Sequence, residues 1–205
     1  MTNYDEDYFL RGNEIGKSLY TDYKWLCLPT MKMALTLIEQ FDLHDKTVID
    51  YGCARGYLVK ALRRFDVNAI GVDVSEWALS NCDSEISDSV GHIEDHDRVC
   101  DFGICKDVLE HIDEKDMPSV FSFMEKFAKE WFLVIPVGDN GKFYIDNYNL
   151  DPSHVNIKPI TGWVYSIIDY FDIEYISSTP VAGIKDKWQK INPGGDAFIH
   201  FKIKS

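Results

Sequence analysis

Asp50 and Asp73 stand 23 residues apart, each closing a short apolar run: Val48-Ile49-Asp50 and Ile70-Gly71-Val72-Asp73. Between them lies a turn of small residues, Gly52, Cys53, Ala54 and Gly56. Glycines let backbone amides come close to a ligand. An acidic side chain at the end of the second strand of a doubly wound sheet accepts hydrogen bonds from ribose hydroxyls. Such a charge-assisted bond is worth about 1.5–3 kcal/mol, enough to decide whether an adenosine-bearing ligand binds. The dinucleotide template G-x-G-x-x-G, laid from Gly52, falls on Gly52, Ala54 and Tyr57, so only its first glycine is present. A pyrophosphate, and with it a nicotinamide-dependent oxidoreductase, is therefore disfavoured.

These residues need strands to present them. Thr47–Gly52 reads as a first strand and Gly56–Arg64 as the helix after it, with apolar positions Leu58, Val59, Ala61 and Leu62. Asn68–Val74 follows as a second strand, with Ser75 capping the next helix. Ser89–Ile93 and Asp101–Lys106 are further strands, Met117–Lys129 is a helix with Pro118 in its first turn, and Trp131–Val137 is a buried strand. Ile160–Phe171 is helical and Asp172–Ser178 strand-like. The last strand, Ala197–Ile203, comes after a loop with no clear helix, which predicts an antiparallel ending. Alternating strands and helices predict an α/β fold: a Rossmann-like, doubly wound sheet of seven strands, mostly parallel, with helices on both faces. We expect one domain over 1–205: an aromatic, helical lid region (1–45), a cofactor-binding half (46–137) and an acceptor-side half (138–205).

A formal charge of −13 and the absence of a basic cluster argue against nucleic acid, whose affinity comes largely from Lys and Arg. The longest apolar run, Trp131–Val137, is too short to span a bilayer. Five cysteines without a C-x-x-C pair fit free thiols in a reducing compartment, and with no signal-peptide pattern the expected location is cytoplasmic. Oligomeric state is not legible.

Three segments together resemble the motifs of class I S-adenosylmethionine-dependent methyltransferases, in that family's order and spacing: Val48–Gly56, Ile70–Ser75 and Cys100–Ile112. The resemblance implies S-adenosylmethionine as cofactor. Asp50, Gly52 and Ala54 would line its methionine part, Asp73 the ribose, and His92 and Ile93 the adenine edge, with Gly56 and Val74 also among the cofactor-binding residues. Lys106 would meet the methionine amino group through its carbonyl. Where Ala54 stands, the family usually has glycine.

Methyl transfer is an in-line displacement that needs alignment, plus a base when the acceptor is a hydroxyl. His111, in Leu-Glu-His after the fourth strand, and His154, in the long loop after the fifth, are the candidate proton acceptors. Tyr144, Tyr148 and Trp163 lie in or beside the loops where a sugar ring could stack, and Trp188 lies near them. His92 and His96 flank a short acidic stretch, but no second Cys/His pair completes a metal site there, so no metal is expected. The expected reaction is O-methylation of a small polar acceptor, a sugar or glycan hydroxyl. A non-catalytic module of the same fold is the remaining alternative.

Overall fold

The computed structural model describes residues 3–204. Its centre is a seven-stranded sheet built from β1 (Thr47–Tyr51), β2 (Asn68–Asp73), β3 (Val90–His92), β4 (Phe102–Lys106), β5 (Glu130–Pro136), β8 (Ile173–Ser178) and β9 (Asp196–Ile203). The spatial order is β3-β2-β1-β4-β5-β9-β8. The first five strands in that order pair in parallel, and β9 lies antiparallel between β5 and β8. The antiparallel ending expected from the sequence is present. Two short strands, β6 (Gly138–Asp139) and β7 (Lys142–Phe143), form a separate hairpin in the long loop after β5.

Alternation along the strands divides the interior into two cores. Trp131, Leu133 and Ile135 of β5 and Ile199 and Phe201 of β9 face helices α5 (Met117–Phe127) and α6 (Ile160–Tyr170). Phe132, Val134 and Phe198 face α2 (Cys27–Phe41) and α3 (Tyr57–Arg63) on the other side. A strand buried on both faces reads as an unbroken apolar run, as β5 does. Gly103 of β4 is fixed by this packing, since a Cβ there would come within 2.3 Å of the Trp131 ring. The indole N–H of Trp131 donates to the carbonyls of Met124 and Ala128 at 3.1 and 3.0 Å, which seals the buried ring. All five cysteines are free thiols.

Two short helices stand where the sequence reads as irregular. α1 (Glu6–Leu10) forms in the N-terminal arm because Asp5 caps it, accepting from the Tyr8 amide at 3.1 Å. α7 (Asp186–Ile191) forms in the loop between β8 and β9. Neither is long enough to show an apolar period. The remaining short helix, α4 (Glu76–Ser80), follows β2 and is capped by Ser75 as its sequence predicts. No helix among the described residues is long and apolar enough to cross a membrane.

Candidate functional site

The strand order reverses direction between β1 and β4, so the connections leaving their carboxyl ends diverge and open a crevice there. The chain leaves β1 through Gly52, at φ +79°. A side chain at Gly52 would meet Val108 at 2.3 Å, so both conformation and space call for glycine. The amides of Gly52 and Cys53 donate to the Val72 carbonyl, tying the turn to β2. Ala54 follows at φ +48°, the left-handed region that costs a side chain about 1–2 kcal/mol. Asp73 holds it there. One carboxylate oxygen accepts from the Ala54 amide at 2.7 Å, the other from the Ser75 amide at 2.8 Å. Each of those oxygens keeps a second lone pair for a hydroxyl donor. Burial raises the Asp73 carboxyl, and these backbone donors counter part of that.

Gly52, Ala54, Asp73, Val74, Ile93 and Lys106 share one cavity of about 180 Å³. Asp50 sits behind it, 5% exposed, its carboxyl pushed up to about 7 by burial and by Asp73, against the pull of Lys106. Gly56 starts α3 at φ +70°. His92 lies beside Asp73 in the β2–β3 register, but its Nδ1 faces the Glu94 amide at 3.4 Å and caps a turn, so only Ile93 of that pair lines the cavity.

The N-terminal arm roofs this cavity with Tyr4, Tyr8, Phe9, Tyr20 and Tyr23. Phe9 stacks on Trp77 of α4 at 5.4 Å, and Ser75 donates to the Tyr4 carbonyl at 2.5 Å. The arm also reaches the far loop, where the Leu19 amide donates to Asp151 at 3.0 Å. Residues 1 and 2 of the expected lid lie outside the described residues.

A second cavity, of about 100 Å³, shares Tyr8, Tyr20, Asp107 and His111 with the first and adds Glu110, Tyr148, Asp151 and His154. Both candidate histidines are here, their rings 4.6 Å apart. Ser153 donates to Asp151 at 2.5 Å, so its oxygen is left to accept from His111 Nδ1 at 2.9 Å. His154 Nδ1 donates to the Tyr148 carbonyl at 2.8 Å. Both rings therefore carry their hydrogen on Nδ1 and keep a lone pair on Nε2. Burial lowers both histidines, and their mutual repulsion adds to this at His111.

Charge in the second cavity is held from below by a residue the sequence does not single out. Lys185 projects from the loop before α7, at φ +54°, and pairs with Asp107, with Asp196 at 2.7 Å and with the Tyr148 hydroxyl at 2.9 Å. Burial works against the Lys185 ammonium, but these partners raise it well above its ordinary value. Asp107, in turn, is held below the usual carboxylate range by Lys106 and Lys185 despite its burial. Glu110, 1% exposed, is pushed well up by burial and by Asp107.

Of the aromatic residues expected at the acceptor, only Tyr148 lines this cavity. Trp163 is a correction: it is fully buried in the core on α6 with Lys158 over its ring at 4.8 Å, because its helix turns that face to the sheet. Tyr144 is 46% exposed and lines neither cavity, since the β6–β7 hairpin carries it outward. Trp188 packs at a tilt against Tyr148, ring centroids 5.8 Å apart. The residues missed were Asp107, Glu110, Asp151, Ser153 and Lys185. The acidic pattern Asp107-Val-Leu-Glu110-His111 was visible, but nothing local in the sequence marks Lys185 or joins His154 to it.

A seven-stranded sheet of this order with an acidic, glycine-bearing crevice at its carboxyl edge defines the class I S-adenosylmethionine-dependent methyltransferase fold. Residues 30–177 match the model of a methyltransferase-domain family, and the chain belongs to that family, whose cofactor is S-adenosylmethionine. A solved S-adenosylmethionine-dependent methyltransferase from Archaeoglobus fulgidus superposes with a TM-score of 0.59 at 17% identity, over 85% of this chain and 94% of that one. The ribosomal protein L11 methyltransferase of Glaesserella parasuis is 44% identical over 52 residues, 25% of this chain and 18% of that protein. The ubiquinone biosynthesis O-methyltransferase of Hydrogenovibrio crunogenus is 26% identical over 127 residues, 55% of this chain and 52% of that protein. The chain thus spans about half, or less, of the length of the two curated sequence relatives.

Proposed function

We propose that the protein transfers the methyl group of S-adenosylmethionine to a hydroxyl of a small polar acceptor, with a sugar or related polyol as the favoured class. One observation carries this reading: the cavity at Gly52 and Asp73 shares a wall with a second one whose interior is set with carboxylates, tyrosines and two imidazole lone pairs. In the reading, the methionine part of the cofactor lies against Asp50, Gly52 and Ala54, and Asp73 takes the ribose hydroxyls. The adenine meets Val74 and Ile93, and the carbonyl of Lys106 receives the amino group. The methyl then points at the second cavity. Carboxylates and a tyrosine hydroxyl suit an acceptor rich in O–H donors, and the ring faces of Tyr8, Tyr20 and Tyr148 suit its carbon skeleton. The Glu110, His111 and His154 cluster deprotonates the hydroxyl as it attacks: the O–CH3 bond forms, the S–CH3 bond breaks, and the electron pair stays on sulfur.

The O-methyltransferase among the sequence relatives supports an oxygen acceptor, and the enclosure of the second cavity by the arm supports a small one. Calorimetric titration with S-adenosylhomocysteine, followed by a labelled-methyl screen of sugars, polyols and phenols, tests the proposal. Micromolar cofactor binding with label in a hydroxyl acceptor is the expected result. Label appearing only in an amine or in protein overturns the acceptor class, and no cofactor binding overturns the whole reading.

A further inference from the structure

Glu110 is a costly residue. It sits on the turn Leu109–His111, and its backbone carbonyl is pinned by the amides of Val155 and Asn156 at 2.8 and 3.0 Å. Its carboxylate is buried, and neither oxygen has a hydrogen-bond partner among the described residues. A carboxyl buried without partners loses its hydration and gains nothing in return, so it destabilises the fold. The groups nearest it do not relieve this, because none stands within hydrogen-bond distance of either oxygen. His111 Nε2 stands 3.9 Å from a Glu110 oxygen. One ligand atom from each of the three residues lies within 4.8 Å of the others. Three potential ligand atoms converge on one spot, and an ion bound there would displace the proton that burial keeps on Glu110.

We propose that this spot is a binding site for a divalent first-row transition ion, held by a Glu110 oxygen and by Nε2 of His111 and His154. The second layer is already that of a metal site. A ligating histidine normally anchors its other ring nitrogen to a carbonyl or, through a relay, to a carboxylate. His154 does the first through Tyr148, and His111 does the second through Ser153 and Asp151. At metal–ligand distances of about 2.0–2.2 Å, donors on one ion stand roughly 3–3.5 Å apart, so the three close by about an ångström around it. One oxygen and two imidazole nitrogens suit manganese, iron, cobalt or zinc better than magnesium or calcium, which prefer all-oxygen sets. Three protein ligands leave coordination positions open toward the second cavity, the pattern of a catalytic site, not a structural one.

This deepens the acceptor reading above, and its catalytic half rests on that reading. With the ion bound, the three side chains would serve as its ligands instead of taking the proton themselves: an acceptor hydroxyl on the ion would ionise more readily, its proton passing to solvent, and its oxygen would attack the methyl as the S–CH3 bond breaks. Open positions side by side favour acceptors with two adjacent oxygens, a vicinal diol or a catechol-like pair. Binding of the ion itself depends only on the three side chains.

The test uses full-length protein stripped with a chelator and dialysed. Cobalt(II) is titrated with visible absorption as the readout, zinc and manganese by calorimetry, and S-adenosylhomocysteine binding is measured on every sample. The expected result is one ion per chain, a tetrahedral or five-coordinate cobalt spectrum, and at least a hundredfold weaker binding in Glu110→Gln and in His154→Ala. His44→Ala, on an exposed loop, keeps the affinity of the parent. Unchanged ion affinity in both site variants, or no ion binding by protein that still binds S-adenosylhomocysteine, overturns the metal site alone. Ion binding without S-adenosylhomocysteine binding keeps the site and overturns the methyl-transfer reading.

Discussion

The carboxyl of Asp50 is held near 7 chiefly because burial at the end of β1 penalises its charge, with Asp73 adding to that and Lys106 only partly compensating. In the unfolded chain it titrates near 4. Its folded value is therefore raised, so wild-type stability from this group is greatest below about pH 4 and is lost as pH rises, levelling off above about 7. The neutral isostere Asp50→Asn escapes that loss. Its melting temperature should exceed that of the parent by a margin that grows between pH 4 and pH 7 and then stays constant. The same change removes the anion proposed to meet the cationic methionine end of the cofactor, so S-adenosylhomocysteine affinity should fall by roughly ten- to a hundredfold at pH 8. Melting curves across pH together with calorimetry check both halves, and a variant that gains no stability at pH 8 would remove burial as the cause of the shift. Asp50 was legible in the sequence because a lone acid closing an apolar strand has few other uses. The state of its proton was not, because that depends on what packs over it.

Among the elements, the loop between β8 and β9 contributes least to the sequence pattern and most to the charge balance of the second cavity. The stretch Gly183-Ile-Lys-Asp-Lys-Trp-Gln-Lys reads as a solvated turn, since three of its residues are lysines. Yet Lys185 is turned inward while Lys187 stays outside against Trp188. The side chain that goes in is decided by Asp107, just past the end of β4, and by Asp196, at the start of β9, a pairing no local window contains. The strands and their caps were readable by contrast because their signals are local: β-branched runs, Ser75 before α4, Pro118 in the first turn of α5. Removing one partner from a buried ion pair leaves the other charge stranded, at a cost of about 3–5 kcal/mol. Lys185→Met should accordingly lower the melting temperature by about 10 °C. Adding Asp196→Asn should recover part of the loss, since it removes one of the two stranded anions. A Lys185→Met protein that melts like the parent would show that the loop is not anchored through this side chain.

The formal charge of −13 is spread over a surface where, among the described residues, many carboxylates have no cationic neighbour, while in the interior Lys185 pairs with Asp107 and Asp196. Self-repulsion of this size opposes the compact state. Exposed pairs such as Arg11–Asp7 and Lys204–Asp172 offset little of it, and salt weakens them too. The sign of the salt effect thus tells which of the two dominates. With 34 acidic against 21 basic side chains, most long-range terms are repulsive, and a Debye length that falls from about 10 Å at 0.1 M to about 3 Å at 1 M screens them first. The melting temperature in sodium chloride should therefore rise by a few degrees between 0.05 and 0.5 M at pH 8, equivalent to about 1 kcal/mol for a chain of this size. The rise should shrink as pH falls toward the sequence isoelectric point of about 4.8, where the net charge vanishes. A melting temperature that drops with salt at pH 8 would mean that the surface pairs outweigh the net charge, and that the acidic surface is organised more tightly than its composition implies.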